Sequence, residues 1–246
     1  MTTTVSVQLY SVRDAIADDL PGAVERLAGI GFTNVEPYGF AERVDEYERA
    51  FAASGISAPS GHAPVIDSDD PDLYFDAAVR LGIGTVIDPF VPTERWQSAD
   101  EIAKTADRVN ALAARAATFG LAFGYHNHNW ELANRVDGRP ALLSFVDRID
   151  DAVVLEIDTF WASVGGVDTP KLLRSLGDRV KFVHVKDGAL SDDTSLQQPA
   201  GKGAVEVAGI LAAAPQAVRV VEFDAYAGDV FDGIAESFAW LKEHDV

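Results

Sequence analysis

Eight short apolar runs, each followed by a longer stretch with helical spacing, divide this chain, and that alternation leaves few folds open. The runs lie near 5–10, 33–37, 57–62, 84–89, 121–127, 152–158, 180–185 and 218–223. Helical patterns fall between them, near 43–54, 72–82, 98–119, 139–149, 168–177, 204–214 and 229–243. A further one opens at Asp19-Leu20-Pro21, with proline at an early helical position, and closes near Gly29 and Gly31. Ser98 and Glu101 predict a reciprocal cap on the longest. Strands that alternate with helices pair in parallel through right-handed crossovers. Eight such units in 246 residues is the size of an α/β (β/α)₈ TIM barrel, with residues 1–246 as one domain. A doubly wound sheet is the rival, but the first run is followed by SVRDAIADD, which holds no glycine for a phosphate loop.

Composition removes several function classes. There is no cysteine, which excludes thiol nucleophiles, iron–sulfur clusters and cysteine-ligated zinc. The formal net charge is −19, from 39 acidic and 20 basic residues. Such a surface repels phosphate backbones, so nucleic acid is not an expected partner. The start, MTTTVSVQLYSVRD, lacks a basic region followed by an apolar stretch, and no apolar run approaches the ~18 residues of a membrane span. A cytoplasmic protein without a membrane partner is expected, and a homo-oligomer is compatible with the sequence.

Polar residues close four consecutive runs: His126 in LAFGYHNH, Asp158 in VVLEID, His184 in KFVHVKD and Glu222 in VRVVEFD. An acid or imidazole ending an apolar strand is costly to desolvate unless something pairs with it. Four in succession, at the barrel rim where active sites form, predict a shared divalent cation. Strand parity agrees. Gly124 shares a face with His126, Val154 and Glu156 with Asp158, Phe182 and Lys186 with His184, and Val220 with Glu222. Two imidazoles and two carboxylates suit Mn²⁺ first, with Co²⁺, Zn²⁺, Fe²⁺ or Mg²⁺ as alternatives, better than Ca²⁺. Such an ion, chelated by a carbonyl and an adjacent hydroxyl of a sugar, polarises the carbonyl and stabilises an enediolate after proton removal.

Further rim candidates surround this set. Glu36 in TNVEPYG could bind a hydroxyl or accept a proton, and His62 in SGHAP could donate to a sugar oxygen. Each serves equally well as a structural hydrogen-bonding residue. Lys186 could neutralise an enolate, or else pair with Asp187 or Asp158. His128, two residues after His126, should face the same pocket, and Glu131 lies in a loop that could fold over the metal as a base. Tyr10 and Trp161, with Phe90, Trp130 and Phe160, offer rings for a sugar face or for ordinary packing. The segment 187–203 is polar and glycine-containing, and reads as a lid or as a flexible loop.

At these residues the chain resembles the xylose isomerase-like TIM barrel superfamily of sugar phosphate isomerases/epimerases, over nearly its full length. The matching stretches are SVQLYSVRDAIADDLPGAVERLAGIGFTNVEPYGF, SGHAP, GYHNHNWEL, EIDTFWASVGG, FVHVKD and GKGAVEV. The resemblance implies a divalent metal, with Asp158, His184 and Glu222 at three ligand positions. Epimerases of this superfamily carry a metal-binding glutamate base where His126 stands here. A metal-bound imidazole cannot shuttle protons, so a second base would have to come from Glu131 or Glu36. The expected function is a metal-dependent isomerase or epimerase of a small ketose or keto-sugar, with Glu222 as ligand and base. The alternative is a lyase of the inosose dehydratase or 3-keto-glycoside type, which needs one base. Hydrolysis of the endonuclease IV type needs more histidines than the five present. A non-catalytic sugar-binding role is the remaining reading.

Overall fold

Runs rich in β-branched residues become the strands, as their packing on a pleated surface favours. In the computed structural model, which describes residues 4–244, these are β1 (Val5–Val7), β2 (Ser60–His62), β3 (Thr85–Asp88), β4 (Ala122–His126), β5 (Val154–Asp158), β6 (Val180–Val185) and β7 (Val218–Val221). They pair in parallel in the order β1-β7-β6-β5-β4-β3-β2. The run at 33–37 is the eighth stave, but not a regular strand. Single bridges, Gln8 to Glu36, Asn34 to Ser57 and Tyr38 to His62, carry it between β1 and β2 and close the barrel. Pro37 has no N–H to give a ladder, and Gly39, at φ 54°, turns the chain directly afterwards. The first run also ends early, at Val7. The Gln8 side chain accepts the Tyr10 N–H at 3.0 Å and starts a 3₁₀ turn.

Helices cover the outside. The first, α1 (Arg13–Ile30), starts before the predicted point, and Asp19 marks a kink within it at φ −152° and ψ 87°. Asp19 accepts the Gly22 N–H at 3.0 Å, so the signal was a true cap in the middle of a merged helix. It is followed by α2 (Val44–Ser54), α3 (Pro71–Leu81) and α4 (Ala99–Ala117). Ser98 caps α4 by accepting the Glu101 N–H at 3.3 Å, whereas the Glu101 carboxylate pairs with Lys104 at 2.5 Å and gives no return bond. Two short helices lay unread in the sequence, α5 (Trp130–Ala133) and α7 (Thr159–Val164). Between them α6 (Ala141–Val146) is shorter than expected, because Arg139–Pro140 pairs with Arg135–Val136 in a tiny hairpin. The last three are α8 (Thr169–Leu176), α9 (Val207–Leu211) and α10 (Val230–Glu243).

The main core lies between sheet and helices; Trp96, Tyr125 and Phe145 pack there with ring centroids 5.3–5.5 Å apart. Inside the barrel Ile87, Phe182 and Val220 form a separate apolar plug. Phe182 and Val220 stand two residues before His184 and Glu222, so the side chains above the plug are polar. A register shift between β5 and β6 at Leu155/Glu156 sets Asp158 opposite His184. No helix among the described residues is long and apolar enough to cross a membrane.

Candidate active site

Three of the four predicted metal ligands converge. Donor atoms of Asp158, His184 and Glu222 all lie within 4.8 Å of one another, and all three side chains are buried. His184 Nδ1 is 2.6 Å from Glu222 Oε2. Asp158 Oδ1 caps α7 by accepting the Trp161 N–H at 2.8 Å, which leaves Oδ2 turned toward the site. His126 sits lower. Its Nδ1 is 3.0 Å from Glu156 Oε2, and its Nε2 is 3.9 Å from Asp158 Oδ2.

Lys186 meets Asp158 at 2.8 Å, Glu222 at 2.6 Å and Asp224 at 2.9 Å, and not Asp187. Burial disfavours its charge, yet the three carboxylates hold its pKa well above the usual lysine value. The Glu222 carboxyl is also buried, but the Lys186 and His184 charges keep it well below the usual range, and so ionised. Asp158 is pushed up to about 6 by burial.

Glu36 and Glu156 lie beneath this layer. Glu36 is fully buried: Gln8 Nε2 donates to Oε1 at 2.8 Å, Ser60 Oγ donates to Oε2, and His184 Nε2 is 2.9 Å from Oε1. With both oxygens engaged below the rim, it does not reach a substrate and instead backs His184. Glu156 is a residue of this cluster that the sequence does not single out, although parity places it on the Asp158 face. Its Oε2 lies 2.6 Å from His62 Nε2, 3.0 Å from His126 Nδ1 and 3.2 Å from His184 Nε2. Burial and Glu156 raise the Glu36 pKa; Glu156, also buried, is pulled well down by His184 and His62.

Glu131 does not fold over the mouth. It is buried on α5, where Tyr125 Oη donates to one oxygen at 2.7 Å and the His128 N–H to the other at 2.9 Å. Burial pushes its pKa up to about 8.

Above the polar floor opens a cavity of about 430 Å³, whose lining includes Tyr10, Tyr38, His62, Phe90, His126, His128 and Glu222. Tyr10 and Tyr38 meet edge to face at 5.4 Å, while His128 stacks on Trp130 at 4.2 Å with Phe90 against it. Trp161 is buried behind the site, with Lys186 Nζ 5.7 Å from its ring, and does not line the cavity. A larger hollow of about 860 Å³ lies against residues 189–202; its Lys202 and Glu236 pair with each other. It holds none of the groups above.

The segment 187–203 is organised rather than loose. The Asp187 carboxylate accepts N–H bonds from Gly188, Gly201, Gly203 and Val205 at 2.8–3.0 Å. Gln197 and Asp224 bond reciprocally, at 2.7 and 2.8 Å, which ties the segment to the carboxylate that holds Lys186.

A family model described as xylose isomerase-like TIM barrel matches residues 24–244. Solved structures share the fold. A sugar phosphate isomerase/epimerase from Parabacteroides distasonis superposes with a TM-score of 0.83 at 21% identity, covering 100% of this chain and 95% of that one. The IolI protein with a bound zinc atom gives 0.75 at 17%, with 100% and 98% covered. The 3-keto-D-glucoside 4-epimerase from E. coli gives 0.70 at 16%, with 99% of each covered. No curated protein matches by sequence.

Proposed function

Since the chain belongs to the xylose isomerase-like TIM barrel family, we propose that it is a divalent-metal-dependent isomerase or epimerase of a small ketose or keto-sugar. One observation carries this reading: Asp158, His184 and Glu222 converge at the floor of an aromatic-walled cavity on the strand-end face. The donor set fits a divalent ion. It offers one imidazole and two carboxylates, and the far nitrogen of His184 is backed by Glu36 at 2.9 Å, as metal-bound imidazoles usually are backed. Mn²⁺, Co²⁺, Zn²⁺, Fe²⁺ and Mg²⁺ all suit these ligands. Bound there, the ion would polarise a substrate carbonyl and offset the charge that builds on its oxygen.

Glu222 lines the cavity and is ionised, so it can take the proton from the carbon beside the carbonyl. Lys186 adds a fixed positive charge within 2.6 Å of that carboxylate. His128 is pushed down to about 4, mainly by burial, so it stays neutral and can hydrogen-bond a hydroxyl. Among the described residues no lysine or arginine lines the cavity, and Lys186 is already shared by three carboxylates. A neutral sugar therefore suits it better than a phosphorylated one.

A second reading is elimination β to a keto group, which needs one base. It is favoured by Glu131 and Glu36, whose oxygens are all engaged below the rim, leaving Glu222 as the carboxylate that lines the cavity. NMR in D₂O with Mn²⁺ and a 3-keto-glucoside or a free ketose separates the outcomes. Deuterium at the carbon beside the carbonyl with a stereoisomeric product supports the first reading, and an unsaturated product supports the second. Glu222→Gln should slow exchange by about 10²–10⁴-fold. Absence of exchange with every metal and sugar tried would sink both.

A further inference from the structure

We propose a second, inner metal centre below the one just described, formed by His62 Nε2, His126 Nδ1, His184 Nε2 and Glu156, and suited to Zn²⁺ or Co²⁺. Three observations point there. First, the four donor atoms lie within 4.8 Å of one another and every side chain is buried. The three imidazole rings form a triangle with centroid separations of 4.5, 5.2 and 5.4 Å. Three histidines around one tetrahedral ion, with metal–nitrogen distances of about 2.1 Å, place their rings about 5 Å apart.

Second, Glu156 is badly served as a hydrogen-bond acceptor. Two imidazole nitrogens fill the lone pairs of Oε2 at 2.6 and 3.0 Å, and His184 Nε2, which bonds Glu36 at 2.9 Å, also stands 3.2 Å from it. Its Oε1 is buried with no hydrogen-bond partner. A network built only from hydrogen bonds would spread the donors over both oxygens. A single cation among the four atoms serves them all at once.

Third, the barrel axis carries too much negative charge. Glu36, Glu156, Asp158 and Glu222 are buried there, and besides the Lys186 ammonium only the imidazoles of His62 and His184, which lie against them, can offset their charge. Buried carboxylates persist when paired or when they bind metal. Ions in the inner and outer seats would take over the compensation that imidazole protons give without them. His62 and His126 line the cavity, which gives an ion a way in.

The two seats share His184, which turns Nδ1 toward Glu222 and Nε2 toward Glu156. With both filled, His184 would give up its Nε2 bond to Glu36 and bridge the ions as an imidazolate, so each ion would weaken the other's affinity by the same factor. The inner seat is rich in nitrogen and prefers Zn²⁺ or Co²⁺; the outer is rich in oxygen and accepts Mn²⁺ or Mg²⁺.

The test uses the full chain, stripped with a chelator, refilled with Zn²⁺ and desalted, with metal counted by mass spectrometry and located by anomalous scattering at the zinc edge. The proposal expects a peak about 2.1 Å from His62 Nε2. It also expects two ions per chain, falling to one in folded His62→Asn or Glu156→Gln, and an inner peak that survives Glu222→Gln. A single inner ion would support this centre and count against the outer seat. A single ion at Asp158, His184 and Glu222, unchanged by His62→Asn, overturns the inner centre and leaves the proposed function standing. No bound zinc overturns both. If the variants do not fold, the wild-type anomalous map still decides.

Discussion

His128 is held in a form that its unfolded counterpart would abandon in mild acid. Its ring stacks on Trp130, its Nδ1 is buried without a hydrogen bond, and burial, with Lys186 nearby, brings its pKa down to about 4. Unfolded, it should titrate near 6.5. Between those values the unfolded chain binds a proton that the folded one refuses. The His128 contribution is therefore present above pH 6.5 and is lost as pH falls toward 4. At pH 5 the loss is about 2 kcal/mol. Glu131, raised to about 8, works in the opposite sense, favouring the fold more as pH falls, so wild type and His128→Gln must be compared at each pH. Urea midpoints at pH 7.5 and 5 should show the variant gaining relative to wild type in acid; parallel shifts would remove the argument. His128 was legible because strand parity tied it to His126. Glu156 was not, since its partner His62 lies 94 residues away and nothing local announces the pairing. Glu36 and Glu131 were seen as acids near the rim, but a sequence does not show depth along a barrel axis.

Elements were legible where periodicity ran long and poorly legible where side chains redirect the backbone. The β4 to β7 runs stood out because apolar parity persists up to their polar ends, while 33–38 closes the barrel through three single bridges that no pattern encodes. The segment after β6 was the least readable, and its order depends on Asp187. That carboxylate gathers four backbone N–H groups, with Gly203 packed against it. A Cβ at Gly203 would stand 2.2 Å from Asp187 Oδ1 and 2.2 Å from the Gly188 nitrogen, both fixed. Gly203→Ala should break the clasp at a cost of about 1–3 kcal/mol, from the buried acceptor left partly unpaired. Trypsin should then cut after Lys202, which the wild type should resist, and thermal unfolding should come earlier. A variant as resistant as the wild type would mean that Asp187 does not hold the segment.

At the scale of the whole molecule the excess of acid opposes folding, and salt should relieve it. The chain carries 39 acidic against 20 basic residues, and exposed pairs such as Arg26–Asp229 at 2.6 Å and Arg80–Asp45 at 2.5 Å match one acid with one base each and leave the net charge of −19 unchanged. Each such pair lies in water, contributes little and is weakened by salt. The remaining like charges repel across the surface while screening is poor. At 0.01 M the screening length is about 30 Å, comparable to the domain, and it shrinks to about 8 Å at 0.15 M. Repulsion acts over many distant acid pairs, whereas the ion pairs are few and short-ranged, so screening removes more repulsion than attraction. The melting temperature should therefore rise between 10 and about 150 mM NaCl, measured by scanning calorimetry after chelation so that no divalent ion contributes. A neutral sugar should bind with little change over the same range, because no net charge on the ligand is there to be screened. A melting temperature that falls with salt would show that the surface ion pairs, and not the acidic excess, dominate the electrostatics of this barrel.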